Sequence, residues 1–197
     1  DVCSSDLCKY GDSKKDSKNF LKVEGERIMT NNQKLVGRHK RLAFMKVGAE
    51  GTYDRITGFT SLIEGKEAKE YARQYIDEAT ERTDVVGYAT GIEYAFDRYT
   101  NNAVHEKIAN ITDDELLGVD AQVEIVSVDV FEEKAGGKYP ARKRTYSVVP
   151  DTTGDGTDAL IYSGNFKAVS EIVKGYCTTT DKWQTCTFVE GEIPAEA

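Results

Sequence analysis

No stretch of this sequence is apolar and long enough to cross a bilayer. The N-terminus also lacks the apolar centre of a secretory signal. Histidine is scarce, with only His39 and His105. Four cysteines, Cys3, Cys8, Cys177 and Cys186, include no pair at zinc-ligand spacing. No metal site is expected. Cationic excess is missing too, since the net charge is −8. That argues against a nucleic-acid grip built on phosphate neutralisation. Catalytic signatures are absent: no G-x-S-x-G, no P-loop, no paired histidines and no glycine fingerprint behind a strand. The expectation is a protein without enzymatic activity and without a cofactor.

What remains is ample material for a fold. The chain has 197 residues, 39% hydrophobic and 30% charged, enough for one well-buried domain. Its organising stretch is Gly87 to Tyr99, GYATGIEYAFDRY. Tyr88, Ile92, Tyr94 and Phe96 alternate with small or polar residues, the period of a strand with one buried face. A second strong strand runs from Gln122 to Phe131. Its apolar residues change phase, from Val123 and Ile125 to Val126, Val128 and Val130. A one-residue shift flips the buried face. We therefore expect a bulge or twist near Ile125–Val126, or a strand passing from one sheet to another. These two strands are expected to form the core.

Residues 1–28 differ from the rest. Cys8 to Asn19 is polar and lysine-rich without periodicity, and reads as unstructured. DVCSSDL matches a translated sequencing adapter, and Glu24–Arg27 can be encoded by a ribosome-binding site ahead of Met29. We expect 1–28 to be a non-native leader, 29–190 a single β domain and 191–197 a flexible tail. Recovery of the tryptic peptide Asn19–Lys22 from native protein would exclude that view of the leader.

In chain order, Asn31 to Arg41 reads as a basic arm, Leu42 to Val47 as a strand and Gly48 to Gly51 as a turn. Tyr53 to Ile63 reads as a second strand containing Gly58. Glu64 to Lys69 reads as a charged loop and Glu70 to Asp77 as a strand. Asn102 can cap a helix carrying Val104, Ile108 and Ile111. A second short turn with Leu116 and Leu117 would end at Gly118. His105 on this helix is expected at the surface. Glu132 to Arg142 reads as a hairpin loop, Arg144 to Val149 as its return strand and Pro150 to Asp158 as a turn. That turn fails the calcium-loop pattern. Ala159 to Phe166 reads as a strand. Ile172 to Thr178 and Trp183 to Val189 read as a last hairpin. Cys177 and Cys186 would flank its turn as reduced thiols, placed to sit opposite each other across the hairpin.

Glu93 and Asp97 lie on one side of the organising strand. Such a pair could serve acid–base work, but the composition favours an exposed acidic face. The excess of strands leaves sheet edges to manage, and pairing them with neighbouring subunits is one solution.

Three runs carry a resemblance: RITGFTSLIEGKEAKEYARQYIDEATERTDVVGYATGIEYAFDRYTNN, DAQVEIVSVDVFEE and YSGNFKAVSEIVKG. Over about Leu35 to Val189 the chain resembles the major tail (tail tube) proteins of tailed bacteriophages and of prophages of Gram-positive bacteria. Gly58–Phe59, Tyr71 to Glu78, Asp84 to Gly87 and Gly175 are its diagnostic segments. The resemblance implies a mainly β fold of two packed antiparallel sheets, or a half-open β-barrel, with one short flanking α-helix. It implies hexameric rings, each subunit adding strands to a continuous inner barrel, stacked into a tube that delivers the genome. Implied partners are further copies of the chain, the tape-measure, the tail terminator and the baseplate or distal tail proteins. DNA would pass without specific binding, and no membrane is involved. The location implied is the virion, after assembly in the bacterial cytoplasm. An acidic lumen suits a DNA conduit by charge repulsion. Glu93, Asp97, Gln122 and Glu124 are the lumen candidates. Glu64, Lys66, Lys69, Lys138 and Arg142 are the candidates for contacts between rings. The alternatives are a carbohydrate- or receptor-binding β-sandwich of a phage and a tube protein of a contractile injection system.

Overall fold

The computed structural model describes residues 34–48, 51–132, 134–154 and 156–193. The proposed leader therefore lies outside the described residues, as do 194–197. The chain divides into two units, Asp1–Val36 and Gly37–Ala197. The fold described belongs to the second.

Among its described residues are nine strands, one α-helix and two short 3-10 turns. The strands are β1 (Arg41–Met45), β2 (Thr52–Arg55), β3 (Phe59–Arg73), β4 (Arg82–Asp97), β5 (Gln122–Asp129), β6 (Tyr139–Thr153), β7 (Ile161–Ala168), β8 (Val173–Thr178) and β9 (Thr185–Glu190). Helix α1 (Ala103–Asp113) follows β4. All pairings are antiparallel, in one sheet of order β3-β4-β7-β6-β5-β1-β2-β9-β8. The sheet is continuous, not two packed layers. It closes on itself because β8 also pairs with the first part of β6. Strands β6, β5, β1, β2, β9 and β8 thus form a small barrel, and β7, β4 and β3 extend from it as an open sheet. The fold is mainly β and half-open, as expected.

Two hydrophobic clusters follow from this shape. Leu42, Phe44, Tyr53, Val126, Val128, Ala141, Cys177 and Cys186 fill the barrel, with every barrel strand contributing. Ile92, Tyr94, Phe96, Val123, Ile125, Tyr146, Val148, Tyr162 and Phe166 form the other, under α1 with its Val104, Ile108 and Ile111. Tyr94 stacks on Phe166 with ring centroids 4.4 Å apart, and Phe96 stacks on Tyr162 at 5.5 Å. Burying each such aromatic side chain stabilises the fold by roughly 1.5–3 kcal/mol.

The phase change in β5 has a different cause from a bulge. Its registers with β1 and β6 run without interruption. Val123 and Ile125 face the helix-covered cluster, whereas Val126 and Val128 face the barrel interior. One regular strand buries opposite faces at its two ends because it belongs to both cores.

Several expected boundaries move. Glu64 to Lys69 is not a loop: β3 is continuous through it. Charge on both faces is allowed because that part of the strand has no core to cover. Gly58 lies between β2 and β3 with φ of +77°, so it breaks the expected single strand. A Cβ there would come within 3.1 Å of the His105 ring. Strand β6 starts at Tyr139 and runs to Thr153, absorbing much of the expected hairpin loop and turn. The helix ends at Asp113 and no second helical turn follows. Asn102 caps α1, its Oδ1 accepting from the N–H groups of Val104 and His105. Cys177 and Cys186 occupy neighbouring strands as free thiols. They are not opposite: Cys177 pairs with Phe188, and Cys186 pairs with Tyr53 of β2.

Candidate assembly surfaces

The four-strand run β3-β4-β7-β6 presents two unlike faces. Tyr94, Phe96, Phe166, Tyr162 and Val148 point to the helix. In register on the opposite face are Glu93 with Asn165 and Val149, and Gly91 with Lys167, Ser147 and Gln122. Asp97, Ser163 and Thr152 continue this face, with Thr152 Oγ1 and Ser163 Oγ 2.7 Å apart. The side chains are small or polar, apart from Ile63, Val149 and Ile161. The sequence alternation in β4 places Glu93 and Asp97 here by the period of two.

Both edges of this run are open among the described residues. Strand β3 pairs with no strand but β4, so no strand covers its outer edge, although Arg38 donates to the Leu62 carbonyl near its root. At the other end, β5 pairs with β6 only as far as Ser147, with one further bond from the Val148 N–H to the Ala121 carbonyl. Residues 149–153 of β6 therefore have a free edge on the side away from β7.

Beyond Gly65 and Gly91 the hairpin β3–β4 leaves the body. Strand β7 pairs with β4 only from Gly91 onward, so the distal part is a two-stranded arm. Its side chains are exposed on both faces, except at its base, where Thr90 is buried. Tyr88 belongs to this arm and is 62% exposed, contrary to its expected burial. It continues the alternation of Ile92 and Tyr94, but the helix and β5 do not reach it. Tyr71, Tyr75, Ile76, Val85 and Val86 are exposed on the same arm.

Of the four lumen candidates, Glu93 is exposed and Asp97 and Gln122 are half-buried on the polar face. Glu124 shares that face but is engaged within the chain. Its Oε2 accepts from the Tyr53 hydroxyl at 2.9 Å, and Lys46 Nζ lies 3.4 Å from Oε1. Burial and this carboxylate push the Tyr53 phenol well above its ordinary value. Of the five candidates for contacts between rings, Glu64, Lys66 and Lys69 lie on β3, with Lys66 Nζ 3.3 Å from Glu64. Lys138 precedes β6, its Nζ 5.6 Å from the Tyr176 ring centre. Arg142 donates to Asp129 Oδ2 at 2.8 Å, and Arg41 Nε donates to Oδ1 at 2.5 Å. Asp129 is buried and joins β1, β5 and β6. Its hydrogen bond raises the Arg41 pKa. The structure thus separates this second set into an arm group and a body group.

His105 corrects the sequence reading. It is fully buried, not a surface residue. Its Nδ1 accepts from the Tyr99 N–H at 3.1 Å, and its Nε2 lies 2.8 Å from the Thr57 carbonyl oxygen. A backbone N–H can only donate and a carbonyl can only accept, so the proton sits on Nε2. Burial lowers its pKa.

Between β1 and the root of β3 lies a cleft that the sequence did not reveal. It has two adjoining lobes of about 440 and 470 Å³. Arg38, Arg41, Ala43, Leu62 and Ile63 line both. Arg55 adds to one lobe, and Lys66 and Glu64 to the other. No group of three or more potential metal ligands occurs among the described residues. No described helix is long and apolar enough to cross a membrane.

A scan of protein-family models and a search of curated proteins both return no match. Among solved structures, the chain is similar to one from the cryo-EM structure of the anti-feeding prophage (AFP) baseplate, 6-fold symmetrised. The identity is 8%, the match covers 72% of this chain and 96% of that one, and the TM-score is 0.45. At those values the likeness carries no functional conclusion.

Proposed function

We propose that this chain is a structural, non-enzymatic subunit of a phage or prophage tail tube. Copies associate side by side into hexameric rings, and rings stack into a tube through which the genome passes. The subunit belongs to the virion and works without a cofactor. DNA passes along the polar face of β3-β4-β7-β6 without being gripped. The reading rests on the sequence resemblance and on one observation of the fold: a four-strand run of the sheet with open edge stretches on β3 and at residues 149–153 of β6, and one largely polar face. Buried backbone groups need partners, and unpaired sheet edges recruit further strands. The outer edge of β3 and residues 149–153 of β6 are different surfaces. Pairing one with the other between copies is heterologous, the kind of contact that closes a ring. An acidic wall repels a polyanion and a neutral one gives it no grip.

The experiment is negative-stain microscopy of the purified chain at high concentration, with mass measurement in solution. Six-fold rings or striated tubes support the reading. A chain that stays monomeric at every concentration and ionic strength contradicts it.

A further inference from the structure

We propose that the acidic tip of the β3–β4 arm docks in the basic cleft at the arm root of a second copy of this chain. The contact deepens the tube reading and rests on it, naming the surfaces by which rings stack.

Residues 70–84 carry five carboxylates, Glu70, Asp77, Glu78, Glu81 and Asp84, against Arg73 and Arg82. All are exposed except Glu78, which is half-buried and paired with Arg82. The tip therefore has a net charge of −3. The cleft has the opposite sign. Arg38, Arg41, Arg55 and Lys66 line it, with Glu64 as its one lining carboxylate; Arg41 is already paired with Asp129 and Lys66 with Glu64, so Arg38 and Arg55 supply its unmatched positive charge. Arg38 bonds only carbonyl oxygens, those of Arg41 and Leu62, at 3.0 and 3.2 Å. Its charge is uncompensated among the described residues, and so is that of Arg55.

Apolar chemistry matches as well. Tyr75 and Ile76 are exposed at the tip, and Ile76 has no packing partner at all at 109% relative exposure. Leu62, Ile63, Ala43 and Ile92 offer apolar walls in the cleft. An exposed apolar tip ringed by carboxylates is suited to an apolar slot ringed by arginines.

Geometry says that the partner is another molecule. From Lys66, at the cleft, to Arg73 the strand rises roughly 23 Å, at about 3.3 Å per residue. The arm is a paired ribbon over that length, so its tip cannot fold back to its own root. A tip that fits only the root of the next copy makes a head-to-tail contact, and such contacts propagate. Residues 1–33 hold six acidic and six basic residues and offer no charge match.

The test compares four full-length chains by sedimentation velocity and negative stain. They are the wild type, the arm reversal Asp77→Lys with Glu81→Lys, the cleft reversal Arg38→Glu with Lys66→Glu, and the chain carrying all four. All substituted side chains are exposed, and thermal melts check that each variant folds. Each reversal alone is expected to cut stacked species at least tenfold while single rings persist, and the four-fold variant is expected to restore stacking. Rings whose stacking ignores both reversals, or is not restored in the four-fold variant, overturn this contact and leave the tube reading intact. Stacking lost on deletion of residues 1–33 but not on arm reversal makes that segment the occupant and overturns the proposal. A wild-type chain that never forms rings overturns both readings.

Discussion

His105 Nε2 donates to the carbonyl oxygen of Thr57 at 2.8 Å, across 48 residues of sequence. Thr57 and Gly58 lead into β3, and Tyr99, which donates to the other ring nitrogen, follows β4. One imidazole on α1 therefore ties together both roots of the arm. It packs tilted against Phe96 with ring centres 4.4 Å apart.

His105→Ala removes both hydrogen bonds and leaves a cavity. We expect a loss of about 2–4 kcal/mol, from one or two unpaired backbone groups plus the cavity. Chemical denaturation measures it. A loss under about 1 kcal/mol would mean that the arm roots are held otherwise.

The same residue sets a pH dependence. Its folded pKa lies below the ordinary value of 6.5 because burial disfavours the cation. The unfolded chain then binds a proton that the folded chain resists. The contribution to stability is whole above about pH 6.5 and falls as the pH drops from there through the folded pKa. Wild-type protein should lose stability in that acid window, and His105→Phe should show a flatter profile there. Equal slopes for the two would count against a buried neutral histidine.

Asp129 receives two arginines yet is itself almost out of solvent, with 6% of its side chain exposed against 44% for Arg41 and 46% for Arg142. Removing the carboxylate leaves two cations that water can still reach. Asp129→Ala is therefore expected to cost about 1–2 kcal/mol, less than the roughly 3–5 kcal/mol of a pair buried on both sides. A melt compared with that of the wild type decides between the two figures.

Along β4, Phe96→Ala should cost about 3–5 kcal/mol and Tyr88→Ala within about 0.5 kcal/mol. The two residues share one alternating series but not one environment. Gly164→Ala should also destabilise, by about 1–3 kcal/mol, because a Cβ there would sit 2.5 Å from the Val149 carbonyl oxygen and 2.7 Å from the Tyr94 hydroxyl. Equal effects of the two β4 substitutions in denaturant titrations would contradict the boundary between body and arm at Gly91.

These contrasts show where the sequence was readable. The alternation of Ile92, Tyr94 and Phe96, the Asn102 cap and the final hairpin are local signals, and the structure follows them. The phase change at Ile125–Val126 was visible, but its cause was not. Whether a strand bulges or serves two cores depends on what packs at each end. Tyr88 misled because period two records which face a residue takes, not whether anything covers it. His105 misled because a lone histidine carries no sign of the two backbone groups that fix it. Glu64 to Lys69 read as loop because charge on both faces suits either a loop or an uncovered arm. Of the candidate surfaces, Glu93 and Asp97 were legible from alternation. The open edge of β3 and the arginine cleft were not, since both depend on which strands pair.

The polar face gives one further expectation. Glu93 is free on it, whereas Glu124 is tied to Tyr53 and Lys46. If this face is the channel wall, Glu93→Lys should leave assembly intact and slow genome ejection. Unaltered ejection would remove Glu93 from the wall.

The central claim is that the open edges of β3 and β6 join copies of this chain into rings. Cryo-electron microscopy of the concentrated chain tests it most directly. The account expects six-fold rings in which β3 of one copy lies antiparallel or parallel beside residues 149–153 of β6 of the next, at the spacing of hydrogen-bonded strands, about 4.8 Å. Rings joined through other surfaces, or a protein that remains a monomer with both edges in solvent, would contradict it.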